Sequence, residues 1–138
     1  MELKGFLYEK LLSILTRNLR IQVHISENLN VTYSAMEDLI RIVGIYIDNA
    51  VEEAEQLEDG EVDITIVETS KGVLFCVENN FAVRPDIAKM VQKGYSTKGE
   101  GRGFGLYWAE KILERHADMM HELHITEEKI LQQIEIIK

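Results

Sequence analysis

Cysteine, proline and tryptophan each occur once in this 138-residue chain, and acidic side chains outnumber Lys and Arg by 24 to 15. Each shortage excludes something. The single cysteine, Cys76, rules out an internal disulfide framework and fits a reducing compartment. It lies inside an apolar run and reads as an inert core thiol. With one proline and no low-complexity tract, the chain lacks the composition of a disordered segment. The formal charge of −9, with no basic cluster longer than a pair, argues against nucleic acid as a partner, because that affinity comes mainly from neutralised phosphates. No apolar run approaches the ~20 residues that span a bilayer, and no signal-peptide pattern is present. The domain itself is expected to be cytosolic, with a membrane-anchored parent chain left open.

What is present suits one domain with one core: hydrophobic residues make up 46% of the chain. Residues 2–18 read as an amphipathic helix, with Leu3, Phe6, Leu7, Leu11, Leu12 and Leu15 at helical spacing, serving as intramolecular core or as a dimer contact. Ile21, Val23 and Ile25 alternate with polar neighbours and mark a strand. Ser34, with Glu37 three residues on, forms a capping box ahead of a long helix. Its apolar stripe comprises Met36, Leu39, Ile40, Val43, Ile47, Ala50, Val51 and Ala54. Val62, Ile64 and Ile66 alternate, then Lys71-Gly72 turns into Val73, Phe75 and Val77, a hairpin. Pro85 opens a short helix to about Gln92. Residues 94–102 read as an exposed loop, and a helix follows from Gly103 to His116. Strands Met119–Thr126 and Lys129–Ile137 close the chain. This order, without repeated βαβ units, predicts an α+β fold: a two-layer α/β sandwich with one mixed sheet and helices packed on one face.

Two segments carry the chemistry. In Gly44-Ile45-Tyr46-Ile47-Asp48-Asn49-Ala50, one amide stands in an otherwise apolar helix. On the helical wheel Asn49 shares a second face with Ile42 and Ile45, one that can line a pocket away from the sheet. Magnesium takes hard oxygen ligands and is usually held by one or two protein oxygens, with water and phosphate supplying the rest. Asn49 can play that part; it can equally be a buried amide bonded to a neighbouring loop. Glu52, Glu53 and Glu55 read as a solvated face, with Glu53 near enough to Asn49 to contact metal-bound water.

The second segment is Ser96-Thr97-Lys98-Gly99-Glu100-Gly101-Arg102-Gly103-Phe104-Gly105-Leu106. Glycines at a loop-to-helix junction let the backbone approach an anion, while free N–H groups and the helix dipole favour negative charge. Lys98 adds a positive charge, and Ser96 and Thr97 add hydroxyl donors. The motif is not a P-loop, because Glu100 stands where lysine belongs. Nor is it the dinucleotide fingerprint, because Leu106 occupies the third glycine position. Alone it fits a flexible loop equally well; joined to a helical Asn49 ~50 residues upstream it becomes more specific.

Elsewhere His116, Asp118, His121 and His124 invite a metal reading. Residues 121 and 124 of a strand point to opposite faces, however, so scattered surface histidines are expected. Tyr107 and Trp108 read as packing in the core or beneath the glycine-rich loop.

Together these residues resemble the Bergerat ATP-binding fold shared by gyrase, MutL and histidine kinases. Asp48-Asn49-Ala50-Val51-Glu52-Glu53-Ala54 with the glycine-rich segment most resembles the catalytic ATP-binding domain of accessory-gene-regulator-type quorum-sensing sensor histidine kinases. The likeness runs from about residue 20 to the end. Residues 19–138 would be the ATP-binding catalytic domain, and residues 1–18 the tail of a preceding dimerisation helix or a helix packing beside it. The resemblance implies ATP and magnesium as cofactors. Asn49 would hold the metal, with Glu53 beside it. Lys98, Gly101, Gly103 and Gly105 would contact the triphosphate, with Ser96, Thr97, Arg102 and Leu106 in the same cofactor site, and the loop from about Tyr95 to Arg102 would be an ATP lid. Asn79 would accept from adenine, and Tyr46 and Phe104 would line the base or ribose.

Three departures qualify the likeness. The water-activating glutamate of gyrase-like ATPases is replaced by Ile45, which favours a kinase over an ATPase or an anti-sigma-type serine kinase. The Asp-x-Gly that binds adenine is replaced by Val77-Glu78-Asn79-Asn80-Phe81, where Asn79 accepts without charge assistance. No phosphoacceptor motif is present. The expectation is therefore a histidine-kinase fragment that binds Mg-ATP without autophosphorylating. It would act with a dimerisation and phosphoacceptor domain of the same kinase and a response regulator downstream. The isolated domain would be a monomer or weak dimer, and the parent would be anchored in a bacterial plasma membrane. The rival is a degenerate Bergerat-fold interaction module without nucleotide.

Overall fold

The computed structural model describes residues 2–15, 17–26, 36–84 and 105–137. Its elements are α1 (Glu2–Ile14), β1 (Arg20–Ile25), α2 (Met36–Ala54), β2 (Glu61–Glu68), β3 (Gly72–Asn80), α3 (Gly105–Leu113), β4 (Met119–Ile125) and β5 (Lys129–Ile137). The five strands form one mixed sheet in the order β1-β2-β3-β5-β4. β1 runs parallel to β2, with Val23 opposite Ile64, and α2 is the crossover such a parallel pair requires. The remaining pairs are antiparallel, with Val62 opposite Asn79 and Asn79 opposite Ile130. Thr69 closes the β2–β3 hairpin: its hydroxyl oxygen accepts from the amides of Lys71 and Gly72 at 3.2 and 3.0 Å. Thr126 repeats the device between β4 and β5.

Strict alternation gives the sheet two different faces. Val62, Ile64, Ile66, Val73, Phe75, Val77, Ile134 and Ile136 are buried toward the helices. α1, α2 and α3 complete that core with Leu3, Leu7 and Ile14, with Leu39, Val43, Ile47 and Val51, and with Ala109, Ile112 and Leu113. All three helices pack on one face, the two-layer α+β sandwich expected from the element order.

Several local expectations change. The first helix ends at Ile14 rather than continuing to residue 18. Its apolar residues do not form one stripe: Leu3 and Leu7 are buried on α2, whereas Tyr8, Leu12 and Leu15 face solvent. α2 is buried more widely than its stripe implied: Ile42 and Tyr46 are core residues as well, Tyr46 against His121 of β4. Cys76 is not in the core. Its odd–even register puts it on the open face of the sheet, opposite Thr65 and Gln133, with Sγ 3.8 Å from Gln133 Oε1. Half-burial and then the charge of Glu78 push its thiol pKa up, so it remains a poor nucleophile.

Two glycines mark places where backbone must pass close to its neighbours. A Cβ on Gly60 would lie 2.1 Å from the Ala54 carbonyl oxygen, where the chain leaving α2 enters β2. A Cβ on Gly44 would lie 3.0 Å from the Phe6 ring, at the approach of α1 to α2.

Candidate functional site at one end of the sheet

α2 and α3 run antiparallel, and two contacts fix their relative position. His116, just beyond α3, sits 2.8 Å from Asp38 in the first turn of α2. Midway, Glu110 of α3 acts electrostatically on both Tyr46 of α2 and His121 of β4. The tie from His116 to Asp38 and the pairing of Glu110 with Tyr46 run in opposite chain directions, so the start of α3 is turned toward the half of α2 that carries Asn49. The glycine-rich segment enters α3 at that point.

The same end of the sheet carries Asn79. β3 ends there beside the start of β2, and Gly60 joins β2 to the end of α2. Asn79 faces the helices and is 4% exposed. Its amide nitrogen donates to the Asn80 carbonyl at 2.8 Å, so its oxygen is the atom that can accept from a ligand. Asn80 is fixed in turn: its oxygen accepts from the Glu61 amide at 2.9 Å and its nitrogen donates to the Asp59 carbonyl at 3.0 Å.

Asn49 and Glu53 lie one helical turn apart on α2, both half-buried. They offer an amide and a carboxylate, hard oxygens of the kind magnesium takes. Among the described residues no group of three His, Cys, Asp or Glu side chains could hold a metal. The donor set thus fits a cation that draws its remaining ligands from water and phosphate, not one in an all-protein cage. Asp48 cannot join it, because it points to α1 and pairs with Lys10 at 2.6 Å. Ile45 is a partly buried residue packed on the core.

Of the expected nucleotide contacts, Ser96, Thr97, Lys98, Gly101, Arg102, Gly103 and Phe104 lie outside the described residues, as do Ser34 and the helix expected after Pro85. Gly105 and Leu106 open α3. Three expectations are corrected. Tyr46 does not line a base pocket: it is 1% exposed, with its ring 5.6 Å from that of His121. Burial, then Glu110, push its phenol pKa up. His121 and His116 are not scattered surface groups. His121 faces the core, its Nε2 is buried without a hydrogen-bond partner among the described residues, and burial lowers its pKa against the opposing pull of Glu110 and Glu122. Of the two placements expected for Trp108 the core one is excluded, since it is 48% exposed and edge-on to Tyr107; the glycine-rich loop of the other lies outside the described residues.

Sequence reasoning missed one buried polar residue near the site, Gln132 on β5. Its signal is a polar residue in the inward phase of a strand whose other inward positions are Ile130, Ile134 and Ile136.

A two-layer sandwich with a polar helix residue, an inward asparagine and a glycine-fed helix gathered at one end defines a class of nucleotide-binding folds. The model of the GHKL domain matches residues 35–137, and this chain belongs to that family. Solved structures share its fold. The nucleotide-free catalytic domain of histidine kinase ThkA aligns with a TM-score of 0.78 and 22% identity over 99% of this chain and 90% of that one. The Acinetobacter baumannii histidine kinase AdeS aligns at 0.75 and 14% over 97% and 64%. Full-length ShkA in complex with AMPPNP aligns at 0.75 and 21% over 99% and 30%. No curated protein sequence matches the chain.

Proposed function

We propose that this chain binds Mg-ATP and is the catalytic part of a sensor histidine kinase. It hands the γ-phosphate to a histidine on a separate dimerisation and phosphoacceptor domain. The observation that carries this reading is the convergence of Asn49, Glu53, Asn79 and the start of α3 at one end of a GHKL-family sheet. Asn49 would hold the magnesium, with Glu53 beside it toward metal-bound water, and the bound metal would supply charge neutralisation for the transferring phosphoryl group. The amides of Gly101, Gly103, Gly105 and Leu106, with Lys98, Arg102, Ser96 and Thr97, position the phosphates, and Phe104 covers the base or ribose. Positioning and charge stabilisation are most of what phosphoryl transfer asks of a protein.

Kinase rather than ATPase is supported by Ile45, an apolar residue on the turn before Asn49, and by Asp48, which is tied to Lys10. Neither can activate water. The accessory-gene-regulator-type subgroup is supported by the two motifs and by Asn79 standing in place of an aspartate. α1 belongs with the ATP-binding unit, because Leu3, Leu7 and Ile14 share its core. A response regulator downstream has its precedent in ThkA, solved in complex with the response regulator TrrA. The parent is anchored in a bacterial membrane by segments other than these; among the described residues no helix is long and apolar enough to cross one.

The test is transfer in trans. The chain, Mg-ATP labelled at the γ-position and a separately produced phosphoacceptor domain of such a kinase should give acid-labile label on the acceptor and none on the chain. Label on this chain, or turnover of ATP without acceptor, would overturn the proposal.

A further inference from the structure

From Ile42 to Ser70 the sequence contains no Lys or Arg. That stretch holds Asn49, and the end of α2 around it carries Asp48, Glu52 and Glu53, with Glu55 following at once. The C-terminal end of a helix adds its own partial negative charge, and a triphosphate brings several charges more. Positive charge to offset this field has to come from elsewhere in the chain. α1 delivers it. The Phe6 ring lies over Gly44, Lys10 Nζ lies 2.6 Å from Asp48 Oδ1, and Arg17 Nη1 donates to Glu55 Oε1. Each of these pairs is 38 positions apart, so α1 and the turn beyond it run parallel to α2 in one register. That register sets one cation on the residue before Asn49 and another shortly after Glu53. Both pairs are open to water, with the Lys10 and Asp48 side chains 23% and 59% exposed, and pairs so placed contribute little to stability. What they alter is the local field. A carboxylate next to Asn49 lies within about a helix diameter, ~10–12 Å, of whatever Asn49 holds, a distance that moderate salt screens only in part.

We infer that Lys10 and Arg17 are positioning residues for polyphosphate binding: by neutralising Asp48 and Glu55 from the α1 side, they let the acidic end of α2 accept the triphosphate of a magnesium nucleotide. The inference rests on the proposed nucleotide site and adds to it two residues that act through α2. A Lys or Arg at a distance of one helix diameter raises the affinity of a multiply charged ligand without touching it. Nucleotide affinity then depends on how α1 is seated, because a shift of α1 along α2 separates both ion pairs at once.

The experiment is calorimetric titration of the whole chain with AMPPNP and with AMP, in magnesium, at roughly 10 mM and roughly 1 M salt. The unaltered protein is compared with Lys10→Gln, with the double variant Lys10→Gln/Arg17→Gln and with Asp48→Asn, and the ligand-free melting temperature of each is measured. At low salt Lys10→Gln should lose about three- to fivefold in affinity for AMPPNP and the double variant about tenfold, whereas Asp48→Asn should gain about two- to threefold. AMP carries less charge and should respond less, and at high salt the four proteins should converge. A field effect requires opposite signs for the two partners of one ion pair; a merely structural pair loses whichever partner is removed. Weaker binding in both Lys10→Gln and Asp48→Asn, unchanged binding in both, or a change that survives high salt overturns the inference and leaves the nucleotide site standing. If Lys10→Gln does not fold, Asp48→Asn decides by its sign, a gain supporting the inference and a loss overturning it. Absence of AMPPNP binding by the unaltered chain overturns the proposed function, and this inference with it.

Discussion

His116 Nε2 lies 2.8 Å from Asp38 Oδ2, tying the chain beyond α3 to the first turn of α2 with both side chains mostly buried. The contact bridges 78 positions of sequence and sets how far α3 slides along α2. That contact turns the start of α3 toward the half of α2 that carries Asn49. Asp38→Ala should cost about 1–2 kcal/mol of stability and weaken nucleotide binding several-fold, although Asp38 is remote from the site. Urea unfolding and calorimetry on the same preparation check this. Full affinity in a destabilised Asp38→Ala would show that the tie holds the fold but not the site.

His121 gives the domain a pH dependence whose sign is fixed. Its folded pKa lies below the ordinary 6.5, from burial foremost. Above that pH both folded and unfolded chains leave it neutral, and it has no effect. As pH falls below about 6.5 the unfolded chain takes up the proton first, so stability declines toward the folded value. Replacing the imidazole with a ring that does not titrate, as in His121→Phe beside Tyr46, should flatten the loss that sets in as pH falls below about 6.5. Denaturant midpoints across that range measure it, and identical slopes in the two proteins would contradict the assignment.

Asn79→Asp should split binding from stability. A carboxylate accepts more strongly than an amide, so nucleotide affinity should rise by about 1 kcal/mol. The same change removes the donor to the Asn80 carbonyl and sets charge against it, which should lower ligand-free stability by about 1–3 kcal/mol. Thermal melts with and without nucleotide separate the two effects. A variant unchanged in both would place Asn79 outside the base site.

The two close-packed glycines should respond differently to alanine. At Gly60 the new methyl would meet backbone at 2.1 Å, which cannot yield without moving the α2–β2 connection; a loss of about 3 kcal/mol or more is expected. At Gly44 it would meet the tip of the Phe6 ring at 3.0 Å. Phe6 is only partly buried and can shift, so the loss should stay near 1 kcal/mol. Equal midpoints for the two variants would contradict the geometry.

The sequence made the layers legible because alternation and helical periodicity are local signals. Val62-Ile64-Ile66 and the α2 stripe could be read directly, and with them the α+β sandwich. Asn49 stood out as one amide in an apolar helix. What stayed hidden depends on residues far apart in the chain. Whether Leu12 faces α2 or water, and whether Tyr46 meets a ligand or His121, follow from how α1, α3 and β4 close around α2, which no window of neighbours encodes. Cys76 was misplaced because an apolar run was read as core, although on a two-faced sheet its phase decides. Gln132 broke an inward apolar phase, and that signal could have been found from the alternation of β5 alone.

Calorimetric titration with AMPPNP, with and without magnesium, on the unaltered chain and on Asn49→Asp tests the central claim most directly. The account predicts micromolar-to-millimolar binding that requires magnesium and falls at least about tenfold in Asn49→Asp, which keeps a hard oxygen but adds charge beside the phosphates. Absence of heat at millimolar nucleotide, or binding indifferent to both magnesium and Asn49, would contradict it and leave a protein-interaction module without nucleotide as the better description.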